Sequence, residues 1–220
     1  MTCLNNAVTI RDALDSVILE VESTKVNACL LVIDKQSTDR TIEIAHEYSH
    51  VEVVQQEGNG LANARNEAIS RITSPLVGFC DADDTWSPGS LGSRLSMIRT
   101  SPQAWGVTGK VRFVDRTEST SGLPPRRRSG AEHPGFTPGA MLLRRRTFET
   151  VGGFDESLRI GSDSDWIVRA SQMLGALTQI DSVVLNKGIR FGSLSTNSEE
   201  YREEMLLIAR RFVSRSKLLR

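Results

Sequence analysis

The apolar positions of this 220-residue chain change period several times, and each change marks an element. Ile10, Leu14, Val17, Ile18 and Val21 recur three or four residues apart, the spacing that lines one face of a helix. Asn5 or Asn6 stands where a side-chain cap would begin it. Ala28-Cys29-Leu30-Leu31-Val32-Ile33 is unbroken apolar sequence, as in a parallel strand covered on both faces. Ser37, Thr38 and Asp39 then supply a helix start ahead of Ile42, Ala45 and Tyr48. A strand over 51–54, the turn Gly58-Asn59-Gly60, an alanine-rich helix over 61–72 and a strand ending at Cys80 follow. Helix and strand thus alternate through residues 1–100, the pattern of a mostly parallel sheet flanked by helices.

After Ser101 the rhythm changes. A longer strand is predicted over 105–114, carrying Val107, Val111 and Phe113. The stretch 116–134 is polar and rich in Pro, Arg and Gly, so it reads as a mobile loop. Apolar sequence returns over 136–143, a helix is predicted over 163–174 and a last strand over 179–185. Tyr201, Met205, Ile208 and Phe212 share one face of a tail helix. With no internal repeat and no second core, 1–220 reads as one domain, with halves at 1–100 and 101–195 and a helix over 196–220.

The most telling chemistry lies where Pro75-Leu76-Val77-Gly78-Phe79-Cys80 runs into Asp81-Ala82-Asp83-Asp84. Acidic groups at the carboxyl end of such a strand sit where open α/β sheets bind ligands. Carboxylates this close repel, and a divalent cation removes that cost. Hard oxygen ligands suit Mg²⁺ or Mn²⁺. A polar turn leading into the next helix is the alternative for this segment.

Composition narrows the function classes. Lys and Arg balance Asp and Glu, and the net charge of zero leaves no basic footprint for nucleic acid. Cys3, Cys29 and Cys80 are far apart and show no zinc spacing, which fits buried free thiols in a reducing cytoplasm better than a disulfide framework. No apolar run approaches the roughly 18 residues of a membrane span, and no signal peptide is visible, so a cytoplasmic location is expected. Two basic clusters remain. Pro124-Pro125-Arg126-Arg127-Arg128 could grip an acceptor or an anionic headgroup, or be a solvated loop. Arg210, Arg211, Arg215, Lys217 and Arg220 flank the apolar face of the tail helix, which could rest on a membrane surface as a peripheral contact or pack on the domain or a partner.

The ordered set of motifs resembles the family 2 nucleotide-sugar glycosyltransferases, inverting enzymes of the GT-A fold. The matching strings are Thr2-Cys3-Leu4-Asn5, Val32-Ile33-Asp34-Lys35-Gln36-Ser37-Thr38-Asp39, Gly60-Leu61-Ala62-Asn63-Ala64-Arg65-Asn66 and Asp81-Ala82-Asp83-Asp84. They continue with Gly139-Ala140-Met141-Leu142-Leu143-Arg144-Arg145, Gly152-Gly153-Phe154-Asp155-Glu156 and Asp163-Ser164-Asp165-Trp166. The resemblance implies transfer of a sugar from a nucleoside diphosphate donor to a hydroxyl of a glycan or lipid-linked acceptor, as in cell-surface polysaccharide synthesis. It implies Mg²⁺ or Mn²⁺ at Asp81, Asp83 and Asp84, with Asp81 and Asp83 also touching the donor. Thr2, Asp34 and Arg65 complete the implied donor site. Arg65 suits phosphate oxygens, or else sits on a solvated helix face. The implied base that deprotonates the acceptor hydroxyl is Asp163. Asp165 would face away, Trp166 would be a sugar platform or core, Asp39 structural, and Gly152-Gly153-Phe154-Asp155 scaffolding.

The chain departs from the family pattern at several points. It opens at Thr2-Cys3-Leu4-Asn5, where the family has already completed a strand, so the sheet is expected to lack part or all of its first strand. Leu4 replaces an aromatic residue that would stack on the base. Lys35 replaces an acidic residue that reads the nucleobase; a lysine could meet a phosphate or another base. Ser162 stands for a glutamate, and Phe191 for a histidine. The alternative to an active enzyme is therefore a silent GT-A domain that binds a nucleotide-sugar or a protein. A nucleotidyltransferase would carry a Gly-rich phosphate loop near its start, and the sequence has none.

Overall fold

A computed structural model describes residues 1–115, 130–189 and 198–218. Most of the loop expected over 116–134, with its Arg126-Arg127-Arg128 run, and the departure at Phe191 lie outside the described residues.

The alternating apolar pattern builds two sheets. Strands β1 (Thr2–Cys3), β2 (Leu30–Asp34) and β3 (Val51–Gln55) form a parallel sheet in the order β1-β2-β3. Helix α1 (Ile10–Thr24) and the short α2 (Thr41–Ala45) belong to this half. Helix α3 (Gly60–Arg71) leads into β4 (Leu76–Gly78), followed by β5 (Thr85–Trp86) and α4 (Ser90–Thr100). The second sheet adds β6 (Gly106–Asp115), β8 (Met141–Arg144) and β9 (Thr178–Ile189) in the order β4-β8-β6-β9-β5, with β7 (Glu132–Pro134) beside β6. Within it only β6 and β9 run parallel. The expected mostly parallel sheet is thus a parallel sheet joined to a mixed one. Helices α5 (Arg146–Val151), α6 (Ser162–Leu174) and α7 (Ser198–Leu218) complete the fold.

The two sheets meet at Thr2, which bridges to Asp81 and accepts a hydrogen bond from the Ala82 amide at 3.1 Å. Strand β1 is two residues long, and Met1 extends its contact with β2 through Ile33 N and Leu31 O. Beside Met1, between β2 and β4, lies an apolar cavity of about 360 Å³ lined by Val17, Leu31, Val77, Trp86 and Leu95 among others. Cys3 and Cys80 are buried as expected; Cys29 is exposed, because β2 begins one residue after it and Ala28 and Cys29 lie in the irregular segment before the strand.

Two cores flank the second sheet. One packs Phe79, Trp105, Met141, Phe148, Phe154 and Trp166. Trp166 is fully buried and stacked on Phe148 at 4.6 Å, with its indole N–H donating to Gly152 O. It is core, not a sugar platform. The other unites α1 and α4 with β6 and β9. There the buried Glu20 carboxylate accepts from the Gly89 and Leu91 amides, both at 2.7 Å, which would otherwise be orphans at the start of α4. Glu20→Ala is expected to cost about 1–3 kcal/mol, the range for stranding buried donors. A urea titration checks it: the midpoint falls while the slope stays that of the parent.

The tail helix packs on the domain through part of the predicted face. Ile208 is buried, whereas Phe212 is exposed. Glu204 of α7 receives the amides of Arg159, Ile160 and Gly161, immediately ahead of α6. Arg211 pairs with Asp155 at 2.7 Å. Among the described residues no helix is long and apolar enough to cross a membrane.

Candidate active site

Four segments distant in sequence converge beyond the end of β4. Just past the strand, Phe79 enters the core and Asp81 lies beside Arg65 of α3. Arg65, on α3, reaches Asp81 through Nη2 at 3.2 Å to both carboxylate oxygens. Its other arm donates to Asp163 Oδ1, at the first turn of α6. One guanidinium therefore holds together the two carboxylates implied for the donor motif and the base. The cation is 1% exposed and lies 5.9 Å from the Phe79 ring centre and 5.6 Å from that of Phe154. A buried charge of this kind persists only when paired. Arg65 was expected on a phosphate; its fork is instead committed to Asp81 and Asp163.

The positioning of Arg65 explains another motif. Its neighbour Asn66 accepts from Phe154 N at 2.8 Å and donates to Phe154 O at 2.9 Å, clamping the Gly152-Gly153-Phe154 turn on α3. A side chain at Gly153 would collide with Asn66 Oδ1, 2.6 Å from where its Cβ would stand. The turn thus brings α6, and with it Asp163, onto Arg65.

Asp163 keeps 21% of its side-chain surface accessible. Burial, reinforced by Asp81, pushes its carboxyl above the ordinary carboxylate range despite Arg65. Burial acts on Asp81 in the same sense, but there Arg65 and Lys187 outweigh it and hold the group below that range. Two carboxylates sharing one arginine are driven apart: Asp81 stays ionised while Asp163 is made more basic. Thr2 Oγ donates to Asp81 Oδ1 at 3.0 Å, so Thr2 orients that carboxylate.

Asp84 does not sit as expected. It is buried, its Oδ1 accepts from Gly188 N at 2.9 Å and its Oδ2 from Lys187 Nζ at 3.0 Å. The buried carboxylate anchors β9. Asp34, expected at the donor, is buried, with its oxygens accepting from Ser37 N at 2.9 Å, Ser37 Oγ at 2.5 Å and Cys3 Sγ at 3.4 Å, and it builds the turn after β2. Lys35, expected at a phosphate or base, donates to Gly58 O and Asn59 Oδ1, each at 2.6 Å. Asp39 accepts from the Thr41 and Ala7 amides, structural as expected, and Asp165 pairs with Arg169 in the interior.

Among the described residues no three acidic, histidine or cysteine side chains surround a common point. The donor set still suits Mg²⁺ or Mn²⁺, which commonly use one or two carboxylates with substrate phosphates completing the shell. Electrostatics point the same way. Asp81, Asp84 and Asp163 act on Arg65, and Asp81, Asp83 and Asp84 act on Lys187, so the acidic groups of this cluster outnumber its two cationic side chains. Lys187 was missed from the sequence because the last strand was ended at Leu185; β9 runs on to Ile189 and carries the lysine into the cleft.

An α/β fold whose acidic cleft opens at the carboxyl end of its strands is built to receive a ligand. The chain belongs to glycosyl transferase family 2, whose family pattern matches residues 1–152. It is 33% identical over 190 residues to the succinoglycan biosynthesis protein ExoU of Rhizobium meliloti, covering 76% of this chain and 54% of that protein. It is 25% identical over 173 residues to the minor teichoic acid biosynthesis protein GgaA of Bacillus subtilis, covering 70% and 38%. The chain thus spans about half the length, or less, of these relatives. Its fold is that of GT-A enzymes. It superposes on S. aureus TarS 1-349 in complex with UDP-GlcNAc with a TM-score of 0.74 at 21% identity, covering 94% of this chain and 64% of that one. The mannosyltransferase PcManGT of Pyrobaculum calidifontis, in complex with GDP-Man and Mn²⁺, gives 0.63 at 20% identity, covering 87% and 56%.

Proposed function

We propose that this chain is the transferase domain of an inverting glycosyltransferase that moves a sugar from a nucleoside diphosphate donor to a hydroxyl of a glycan or lipid-linked acceptor. Family membership supports the class. The observation that carries the mechanism is the single guanidinium that joins Asp81 of the first half to Asp163 of the second. Residues 1–100 would hold the donor and 101–195 the acceptor and base.

Asp163 is the base. Its accessible carboxylate, made more basic by burial, takes the acceptor's hydroxyl proton as the oxygen attacks the anomeric carbon. Arg65 fixes the carboxylate's orientation, and Glu204 fixes the backbone that delivers it. Asp81 and Asp83 would hold Mg²⁺ or Mn²⁺, whose charge, when bound, offsets that of the departing diphosphate.

Calorimetry with UDP, GDP, ADP, CDP and dTDP, with and without MnCl₂, tests this reading. At least one nucleotide is expected to bind with Mn²⁺ and weaken when the ion is chelated. Asp83→Ala should abolish the Mn²⁺ enhancement and leave the unfolding temperature within a few degrees. Metal-dependent binding without donor turnover, indifferent to Asp163, would return the chain to a silent binding module; no binding of any nucleotide would end the assignment.

A further inference from the structure

We propose that Lys187 is a diphosphate-binding residue of the donor site, taking the role that the sequence offered to Arg65. The inference rests on the reading that the cleft receives a nucleoside diphosphate-sugar. Two cationic side chains among the described residues, Arg65 and Lys187, serve the aspartate cluster, and they differ in access. Arg65 is 1% exposed with both arms committed to carboxylates, whereas the Lys187 side chain is 30% exposed. Of these two, Lys187 is the one that retains accessible surface for an incoming anion.

Its placement is built in. Strand β9 pairs with β5 through Asn186 and Thr85, which sets the lysine beside the acidic turn. Asp84 then grips Nζ at 3.0 Å while its other oxygen takes the Gly188 amide at 2.9 Å. Asp84 is thus a buried anchor that fixes both the lysine head and the strand beneath it. An ammonium has three donors, and Asp84 Oδ2 accepts one of them. A fixed, charged, partly open lysine beside the carboxylates that would hold the metal stands where negative charge grows as the glycosidic bond breaks.

A purely structural ion pair is the competing account, since an apolar pair often replaces a buried salt bridge without loss. Full-length Lys187→Met, Lys187→Gln and Lys187→Arg separate the two. The probe is whichever nucleoside diphosphate the parent protein binds with MnCl₂, compared with the matching uncharged nucleoside by calorimetry. Lys187→Met and Lys187→Gln are expected to weaken the diphosphate at least about tenfold, the worth of one charge-assisted hydrogen bond. Nucleoside affinity should stay level, and Lys187→Arg should recover most of the diphosphate affinity. The glutamine variant, which can still hydrogen-bond Asp84, carries the test if the methionine variant does not fold. Diphosphate affinity unchanged in Lys187→Gln, or lost equally for diphosphate and nucleoside, would overturn the inference while leaving the functional reading intact. A parent protein that binds no nucleoside diphosphate would overturn both.

Discussion

Asp163→Asn is expected to lower kcat by about 10²–10⁴-fold, the usual worth of a positioned general base, with nucleoside diphosphate affinity nearly unchanged. The amide fills the same space and still accepts from Arg65, so α6 and its aromatic bed stay in place. What disappears is the capacity to take a proton. The pH profile supplies an independent check. Because burial raises the Asp163 carboxyl, the acidic limb of kcat should fall at a pH above the ordinary aspartate range, not near it. Linkage gives the sign for stability: a carboxyl raised on folding binds its proton more tightly in the native state. Its contribution is therefore present at low pH and lost as pH rises through the native value. Asp163→Asn should remove that dependence together with the acidic limb. An asparagine variant that keeps more than a tenth of the parent kcat would exclude Asp163 as the base.

How much of this was legible in the sequence depended on which force set each feature. Apolar periodicity located α1, α3, α6 and the long strand at β6, because burial of a face dictates them directly. It could not give strand order, so the mixed character of the second sheet, where β6 meets β8 antiparallel and β9 parallel, emerged only in three dimensions. At the site, residue type did not give the partners that the fold supplies. Asp34 and Asp84 resemble ligand carboxylates in a string of letters. In the fold they satisfy the Ser37 and Gly188 amides respectively, which burial would otherwise leave unpaired. Arg65 resembles a phosphate binder until the fold places it beside Phe79 and Phe154 and pairs it with Asp81 and Asp163. Lys187 carried no signal beyond a lysine next to an apolar run, since its meaning depends on the β5–β9 register. Long-range partnership, not residue chemistry, was what the sequence withheld.

The same partnership predicts the largest loss of stability. Arg65→Met keeps much of the apolar volume between Phe79 and Phe154 but removes the charge that Asp81 and Asp163 share. Breaking a buried pair from one side typically costs about 3–5 kcal/mol, because the opposite charges remain behind. For a chain of this size that corresponds to a drop of roughly 6–20 °C in Tm. Arg65→Lys should fall between, as one ammonium cannot fork onto both carboxylates. The loss should also be conditional. Adding Asp163→Asn to Arg65→Met removes one of the stranded charges, so the double variant should recover about 1–3 kcal/mol relative to additivity. A stability effect that depends on the charge of Asp163 cannot come from packing alone. Thermal unfolding of the four proteins in one buffer decides it. If Arg65→Met lies within about 1 kcal/mol of the parent, or if the two substitutions simply add, the guanidinium does not bind the two halves of the site into one.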